Sequence, residues 1–212
     1  MSAFSGHWGH TSSAFADDHG REKSAVPDQL SRETLAGCKK QDPVAFRRFV
    51  QAHERAVFAL ISRVTGRGGH VQDLAQEAFL RAHRAFPAFD LDGPASSSTW
   101  ILTIAVRLAL NAKKKMLAAP PSPLTDAAEV PDSTTPETER ARRELGRAIA
   151  RAAEELNDDQ RAVFVLAEFH GLSIAEIARA LGVPENTAKT RLFRAREQLR
   201  ERLAHFVRGE RP

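Results

Sequence analysis

The chain has 212 residues, with 31 Lys+Arg against 27 Asp+Glu, a formal net charge of +4 and 42% apolar content. That length fits one medium domain or two small ones, and the apolar share is enough for compact cores, which argues against global disorder. The single cysteine, Cys38, excludes an internal disulfide and a multi-cysteine metal cage and fits a reducing cytoplasm, while the longest apolar run, Trp100 to Leu110, is broken by Thr103 and Arg107 and is too short for a membrane span.

Residues 1–27 mix Ser, Gly, His and scattered aromatics without a helical or strand period, which predicts a mobile extension ending at Pro27. Asp17 and Asp18 stand among the first twenty residues and Lys and Arg do not, so a secretory signal is not expected. His7 and His10 flank Trp8 in an HxxH pair, but two imidazoles without further ligands make a poor metal site, and tail composition accounts for them.

A short helix with Leu30 and Leu35 is expected over about 27–40. From Pro43 to Thr65, Phe46, Phe49, Val50, Val57, Leu60, Ile61 and Val64 fall on one helical stripe. Asp42 before Pro43 supplies a cap and a first-turn proline, and Gly66 stops the helix. The next stripe, Val71, Leu74, Ala75, Ala78, Phe79, Ala82 and Phe86, runs up to Pro87. A loop with Asp90, Asp92, Gly93, Pro94 and three serines leads to a third apolar helix, carrying Trp100, Ile104 and Leu108 and ending in the basic run Lys113, Lys114 and Lys115. No segment alternates with period two over a useful length, so residues 28–115 read as an all-helical domain.

Residues 116–139 change character: they hold five of the chain's eleven prolines and carry Asp126, Glu129, Asp132, Glu137 and Glu139 with no basic residue. That composition predicts an extended, flexible acidic linker that lets the two halves act at separate places. Helical pattern returns over about 140–156, 158–170, 173–181 and 185–206, making residues 140–207 a second small helical domain before a tail at 208–212. Gly182-Val183-Pro184 joins the last two helices, and a short Gly-containing turn between a short and a longer helix is a helix-turn-helix signature.

Three constellations carry chemistry. Ser173 and Glu176 form a capping box at the start of the helix-turn-helix. Ile174, Ile177, Leu181, Ala188, Leu192, Ala195 and Leu199 face its core, leaving Asn186, Lys189, Thr190, Phe193 and Arg194 outside with Arg191 and Arg196 on the flanks. From Pro184 to the end there are eight basic and four acidic residues, whereas residues 154–176 hold six acids and one arginine. Positive charge is thus gathered on the helix that fits a DNA major groove, where Arg and Lys meet guanine edges or phosphates and Asn or Thr read bases. The plainer alternative is a solvated amphipathic helix.

The second constellation is the outer face Asp73, Gln76, Glu77, Leu80 and Arg81, with no His, Cys or Ser partner at helical spacing and no Gly-rich phosphate loop, so neither an enzyme nor a cofactor is expected. The third is the loop from Phe89 to Thr99 with the helix behind it, whose outward Arg107, Asn111 and Lys113–Lys115 suit capture of an unpaired base and its backbone. A plain basic helix end explains that pattern equally well.

In this order, the segment DLAQEAFLRAHRAF, a WILTIA helix, an acidic linker and then ELNDDQRAVFVLAEFHGLSIAEIARALGVPENTAKTRLFRAREQL resemble the extracytoplasmic-function (ECF) group of bacterial RNA polymerase sigma factors, over about residues 28–206. The resemblance implies two helical domains and no catalysis. It assigns Asp73, Gln76, Glu77, Leu80 and Arg81 to core polymerase. It assigns Phe89, Ser96, Ser97, Ser98, Trp100, Arg107, Asn111, Lys113, Lys114 and Lys115 to the opened −10 element. Asn186, Thr187, Lys189, Thr190, Arg191, Phe193, Arg194 and Arg196 are assigned to the −35 element. Within it, Ser96–Ser98 stand where aromatics are common and Arg107 where Asn is common. The resemblance further implies promoter DNA and core polymerase as partners, control by an anti-sigma factor, and a cytoplasmic location. Two alternatives stay open from sequence: a dimeric helix-turn-helix regulator reading palindromic half-sites, and an interaction protein that occupies polymerase or an anti-sigma factor without selecting promoters.

Overall fold

The computed structural model describes residues 30–66, 70–118, 148–149, 151–153 and 155–207. The extension with its HxxH pair, residues 119–139 of the linker expected over 116–139, most of the helix expected over about 140–156 and the tail at 208–212 lie outside them, while residues 116–118 are the end of a helix and not linker. Every regular element among the described residues is helical: α1 (Arg32–Lys39), α2 (Pro43–Thr65), α3 (His70–Ala85), a 3₁₀ turn (Phe86–Ala88), α4 (Ser97–Ala118), α5 (Asp158–Glu168), α6 (Ile174–Leu181) and α7 (Glu185–Val207). None of these helices is long and apolar enough to cross a membrane.

Local chemistry sets the helix ends. Ser31 caps α1 through Thr34 N–H, so this helix starts later than the apolar pattern alone predicts. Asp42 accepts from Val44 N–H at 2.9 Å ahead of Pro43, and Gly66, at φ +86°, ends α2. Such caps each stabilise by about 1 kcal/mol. The α4 helix continues past the lysine run to Ala118.

In the first half α2 is the central helix, packed by α1, α3 and α4. Phe49, Val57, Leu60, Ile61 and Val64 of α2 are fully buried, as are Ala78 and Ala82 of α3 and Ala105, Val106 and Ala109 of α4. Small alanines on α3 and α4 let these helices approach α2 closely, while Phe49, Phe86 and Trp100 fill the centre with tilted and edge-on rings 5.0–6.4 Å apart. In the second half α5, α6 and α7 pack around Val163, Leu166, Ile177, Ala188, Leu192 and Ala195. The two halves also touch: α6 and α5 pack on α4, α5 packs on α2, and the buried apolar residues form one continuous cluster.

The α1–α2 crossing has one tight point. A Cβ at Gly37 would lie 2.7 Å from Ala45 Cβ on the neighbouring helix. Gly37→Ala is therefore expected to lower stability in urea denaturation. The overpacking penalty of ~1–3 kcal/mol outweighs the helix-propensity gain of up to ~1 kcal/mol. A midpoint equal to or above that of the parent chain would contradict the close crossing.

His170, in the turn after α5, has its Nε2 buried without a hydrogen-bond partner. Burial, and then the nearby Arg63 charge, lower its pKa from 6.5 to about 4. The imidazole is thus neutral in the folded chain, and the unfolded chain binds the extra proton first as pH falls. Stability present above pH 6.5 is lost between about 6.5 and 4, by on the order of 2–3 kcal/mol for this group. His170→Gln is expected to flatten that part of the pH–stability curve; an unchanged acid slope contradicts the assignment.

Candidate nucleic-acid interface

The basic face lies on the second helix of the helix-turn-helix. Ser173 Oγ accepts from Glu176 N–H and Glu176 Oε2 from Ser173 N–H at 2.9 Å, completing the capping box that starts α6. Gly182, left-handed at φ +68°, turns the chain; half-buried Val183 packs on the core. Ala188, Leu192, Ala195 and Leu199 anchor α7, so Asn186, Lys189, Thr190, Phe193 and Arg194 are exposed, Phe193 at 65%. Thr187 is half-buried. Two arginines on the flanks tie α7 to α5: Arg191 pairs with Asp159 at 2.5 Å and Arg196 with Glu168 at 2.6 Å. Beside them Arg191 and Arg194 line an open polar hollow of about 340 Å³ with Asn157, Asp158, Asp159 and Gln160. The arrangement sets cationic, amide, hydroxyl and aromatic groups along the outer face of α7.

The outer face of α3 presents Asp73, Gln76, Leu80 and Arg81, all exposed, and half-buried Glu77. Glu77 and Arg81 form an i,i+4 pair at 2.7 Å, and Leu80 is 51% exposed between charges.

The loop before α4 and α4 itself are more engaged than their polar sequence predicts. Phe89 is 7% exposed, 5.5 Å from Phe86 and 4.9 Å from Trp100, itself half-buried. Lys39 Nζ holds Phe89 O at 2.7 Å, and Arg32 pairs with Asp92. Ser96 Oγ accepts from Thr99 N–H at 3.1 Å, in the manner of a cap. Ser97 is fully buried beside His53 Nε2 at 3.3 Å, and Ser98 is 5% exposed. Asn111, Lys114 and Lys115 are exposed, whereas Arg107 and Lys113 reach the second half: Arg107 donates to Ala180 O at 2.7 Å, and Lys113 meets Asp158 at 2.6 Å. The structure thus groups Asn186, Lys189, Thr190, Phe193 and Arg194 on one face of α7, with Arg191 and Arg196 at its flanks and Thr187 half-buried, and Asp73, Gln76, Glu77, Leu80 and Arg81 on one face of α3; the remaining residues divide between an aromatic cluster, capping or buried serines, an open lysine end and an inter-half seam. Asp158, Arg161 and Glu176 belong to that seam and carry no local sequence signal for it.

Two family models match the chain: Sigma-70 region 2 over residues 49–116 and Sigma-70, region 4 over residues 146–199. The ECF RNA polymerase sigma-E factor of Escherichia coli (strain K12) is 33% identical over 193 residues, covering 86% of this chain and 100% of that relative. The chain belongs to the ECF sigma factors. The ECF RNA polymerase sigma factor SigM of Mycobacterium tuberculosis is 35% identical over 183 residues, covering 86% of this chain and 89% of the relative. Among solved structures, CnrH in complex with the cytosolic domain of CnrY shares the fold with a TM-score of 0.60 at 24% identity, covering 82% of this chain and 96% of the other. RpoE of Bartonella quintana, in complex with the anti-sigma factor NepR, does so with a TM-score of 0.59 at 19% identity, covering 75% and 96%. In this sigma factor α2 to α4 fall within the region 2 match, apart from the ends of α2 and α4, and most of the helix-turn-helix falls within the region 4 match. The family is one of transcription regulators, not of enzymes.

Proposed function

We propose that this ECF sigma factor docks on core RNA polymerase through the α3 face and directs initiation by reading two promoter elements. The observation that carries the reading is the presence, on one chain, of an exposed Leu80 ringed by Asp73, Gln76, Glu77 and Arg81 and a separate basic face on the second helix of a helix-turn-helix. On α7, Lys189, Arg191, Arg194 and Arg196 supply salt-dependent phosphate affinity, and Asn186, Thr187, Thr190 and Phe193 read −35 base edges and thymine methyls. The α4 helix with its preceding loop holds the opened −10 strand: Lys114, Lys115 and Asn111 track its backbone, with Arg107 and Lys113 joining them.

An anti-sigma factor controls the protein by covering exposed apolar and acidic groups such as Leu80 and Asp73. The protein works in the cytoplasm, where polymerase and chromosome are. A dimeric regulator reads palindromic half-sites, whereas a sigma factor acts as a monomer on two unlike elements. Size-exclusion chromatography with core polymerase separates these: the expected result is a monomer that co-elutes with polymerase at one copy per enzyme. A stable dimer that passes polymerase by contradicts the reading.

A further inference from the structure

Two ion pairs join α7 to the two ends of α5. Arg191 Nη2 donates at 2.5 Å to Oδ2 of Asp159, in the first turn of α5. Arg196 donates through Nε and Nη2, at 2.8 and 2.6 Å, to Oε1 of Glu168, the last residue of α5. At about 100° per residue, positions 191 and 196 stand about 140° apart around α7. The buried stripe of Ala188, Leu192, Ala195 and Leu199 falls between them, so the two arginines flank it on opposite sides. Farther along, Arg202 pairs with Glu155 on the Arg191 side.

Asp159, near the positive end of the α5 dipole, is favoured there with or without Arg191. Glu168 has no such local cause. An anion at the C-terminal end of a helix meets the negative end of the dipole, and the last turn of α5 holds no basic residue to offset it. Its partner on α7 accounts for it. Ion pairs this open to solvent add little to stability, so holding the fold is not their main effect. The buried stripe, in turn, grips α7 weakly against rotation: Ala188 and Ala195 let the helices lie close but interlock little. A roll of about 20° carries side-chain ends about 6 Å from the helix axis through about 2 Å, enough to break a hydrogen bond to a base edge.

We propose that Asp159 and Glu168 are positioning residues for −35 recognition: bracing α7 from both flanks, they set its roll and so decide which base edges Asn186, Lys189, Phe193 and Arg194 can meet. The proposal rests on the reading of α7 as the −35 surface. Each planar guanidinium, held by its carboxylate, also comes to the DNA backbone at a fixed angle instead of swinging on a long side chain. Promoter choice is thereby set in part by two carboxylates that need touch no base.

The test uses the full chain with Asp159→Asn and Glu168→Gln combined, which keeps side-chain shape, removes both carboxylates and leaves every residue assigned to DNA or polymerase in place. Glu168→Gln alone is the milder second variant. Each is bound, with core polymerase, to a mapped promoter fragment and to the same fragment with its −35 element scrambled. The preference for the intact element is expected to fall about tenfold, the effect of one lost base-edge contact. Binding to the intact element weakens, the scrambled fragment binds as well as before or better, and the salt slope steepens by about one per released guanidinium. Equal gains on both fragments would mean that the carboxylates only repel DNA, and equal losses that they only hold the fold; either result, or an unchanged preference, overturns the proposal. Spin labels at Arg179→Cys on α6 and Glu201→Cys on α7, both exposed, read the roll without DNA, while Cys38, 1% exposed, stays unlabelled. One narrow distance population is expected in the parent chain and a broad one in the double variant; equal widths overturn the brace. A parent chain without any preference for the intact element, whose label distances still broaden in the variant, places the error in the −35 reading of α7 and leaves the brace standing.

Discussion

Arg194→Ala or Lys189→Ala is expected to cut initiation at this sigma factor's promoters by roughly 10–100-fold, the effect of losing ~1–3 kcal/mol of base-edge contact, with polymerase binding unchanged. Both side chains are exposed on α7, whose position is fixed by buried Ala188, Leu192, Ala195 and Leu199 and by the flanking Arg191–Asp159 and Arg196–Glu168 pairs. Truncation leaves those anchors in place, and alanine favours the helix. The loss should therefore fall on DNA alone. Reconstituted transcription beside a polymerase-binding competition measures both quantities on the same protein. If Lys189 meets phosphate instead of a base, its variant weakens all sequences evenly and lowers the salt slope by about one. Equal loss of polymerase affinity would show that the two halves do not divide the work in this way.

Glu77→Arg is expected to do the reverse, weakening polymerase binding by roughly tenfold or more, since a like-charge placement across an interface costs several kcal/mol. Binding of the free chain to −35 duplex should be untouched. Glu77 lies on the outer side of α3, paired with Arg81 at 2.7 Å, while Ala78 and Phe79 face the core. The reversal replaces one favourable i,i+4 pair by a repulsive one, a cost below about 1 kcal/mol within the helix, so the fold survives. Full transcription by this variant would refute the assigned face.

Much of the fold is legible because its determinants are local. Asp42-Pro43 and Gly66 bound α2 in sequence as they do in the structure, and Ser173 with Glu176 announces the capping box three residues apart. Apolar stripes locate Phe49, Leu60, Ile177 and Leu192 in the interior. What stays hidden depends on partners far along the chain. The spacing of Glu176 fully explains it as a cap, so nothing nearby signals its second bond to Thr99, 77 residues away. Arg161 stands within the apolar run of α5 as if it were a surface residue, yet it is 5% exposed and donates to Ala153 O and Leu156 O. Arg107 and Lys113 read as an outward basic face because charge alone does not tell DNA phosphate from the carbonyls and carboxylate of another helix. The serines before Trp100 show the same ambiguity: polar composition predicts an open loop, but Ser96 caps α4 and Ser97 is buried against His53.

The seam also bears on how the expected effects are read. A substitution at Arg107 or Lys113 removes a proposed DNA contact and a contact between the two halves together, so its effect on single-strand binding combines both losses. Variants at Lys114, Lys115 or Asn111, which are exposed, report on DNA more cleanly.

The central claim is that this chain alone confers promoter choice on core polymerase. Start-site mapping after overexpression supplies the candidate promoters, and run-off transcription with purified chain and core polymerase on those fragments tests the claim directly. The account predicts discrete transcripts that require the chain and vanish when either of two unlike upstream elements is scrambled. Polymerase that starts nowhere on these fragments with the chain present, or starts equally well without it, would contradict the account.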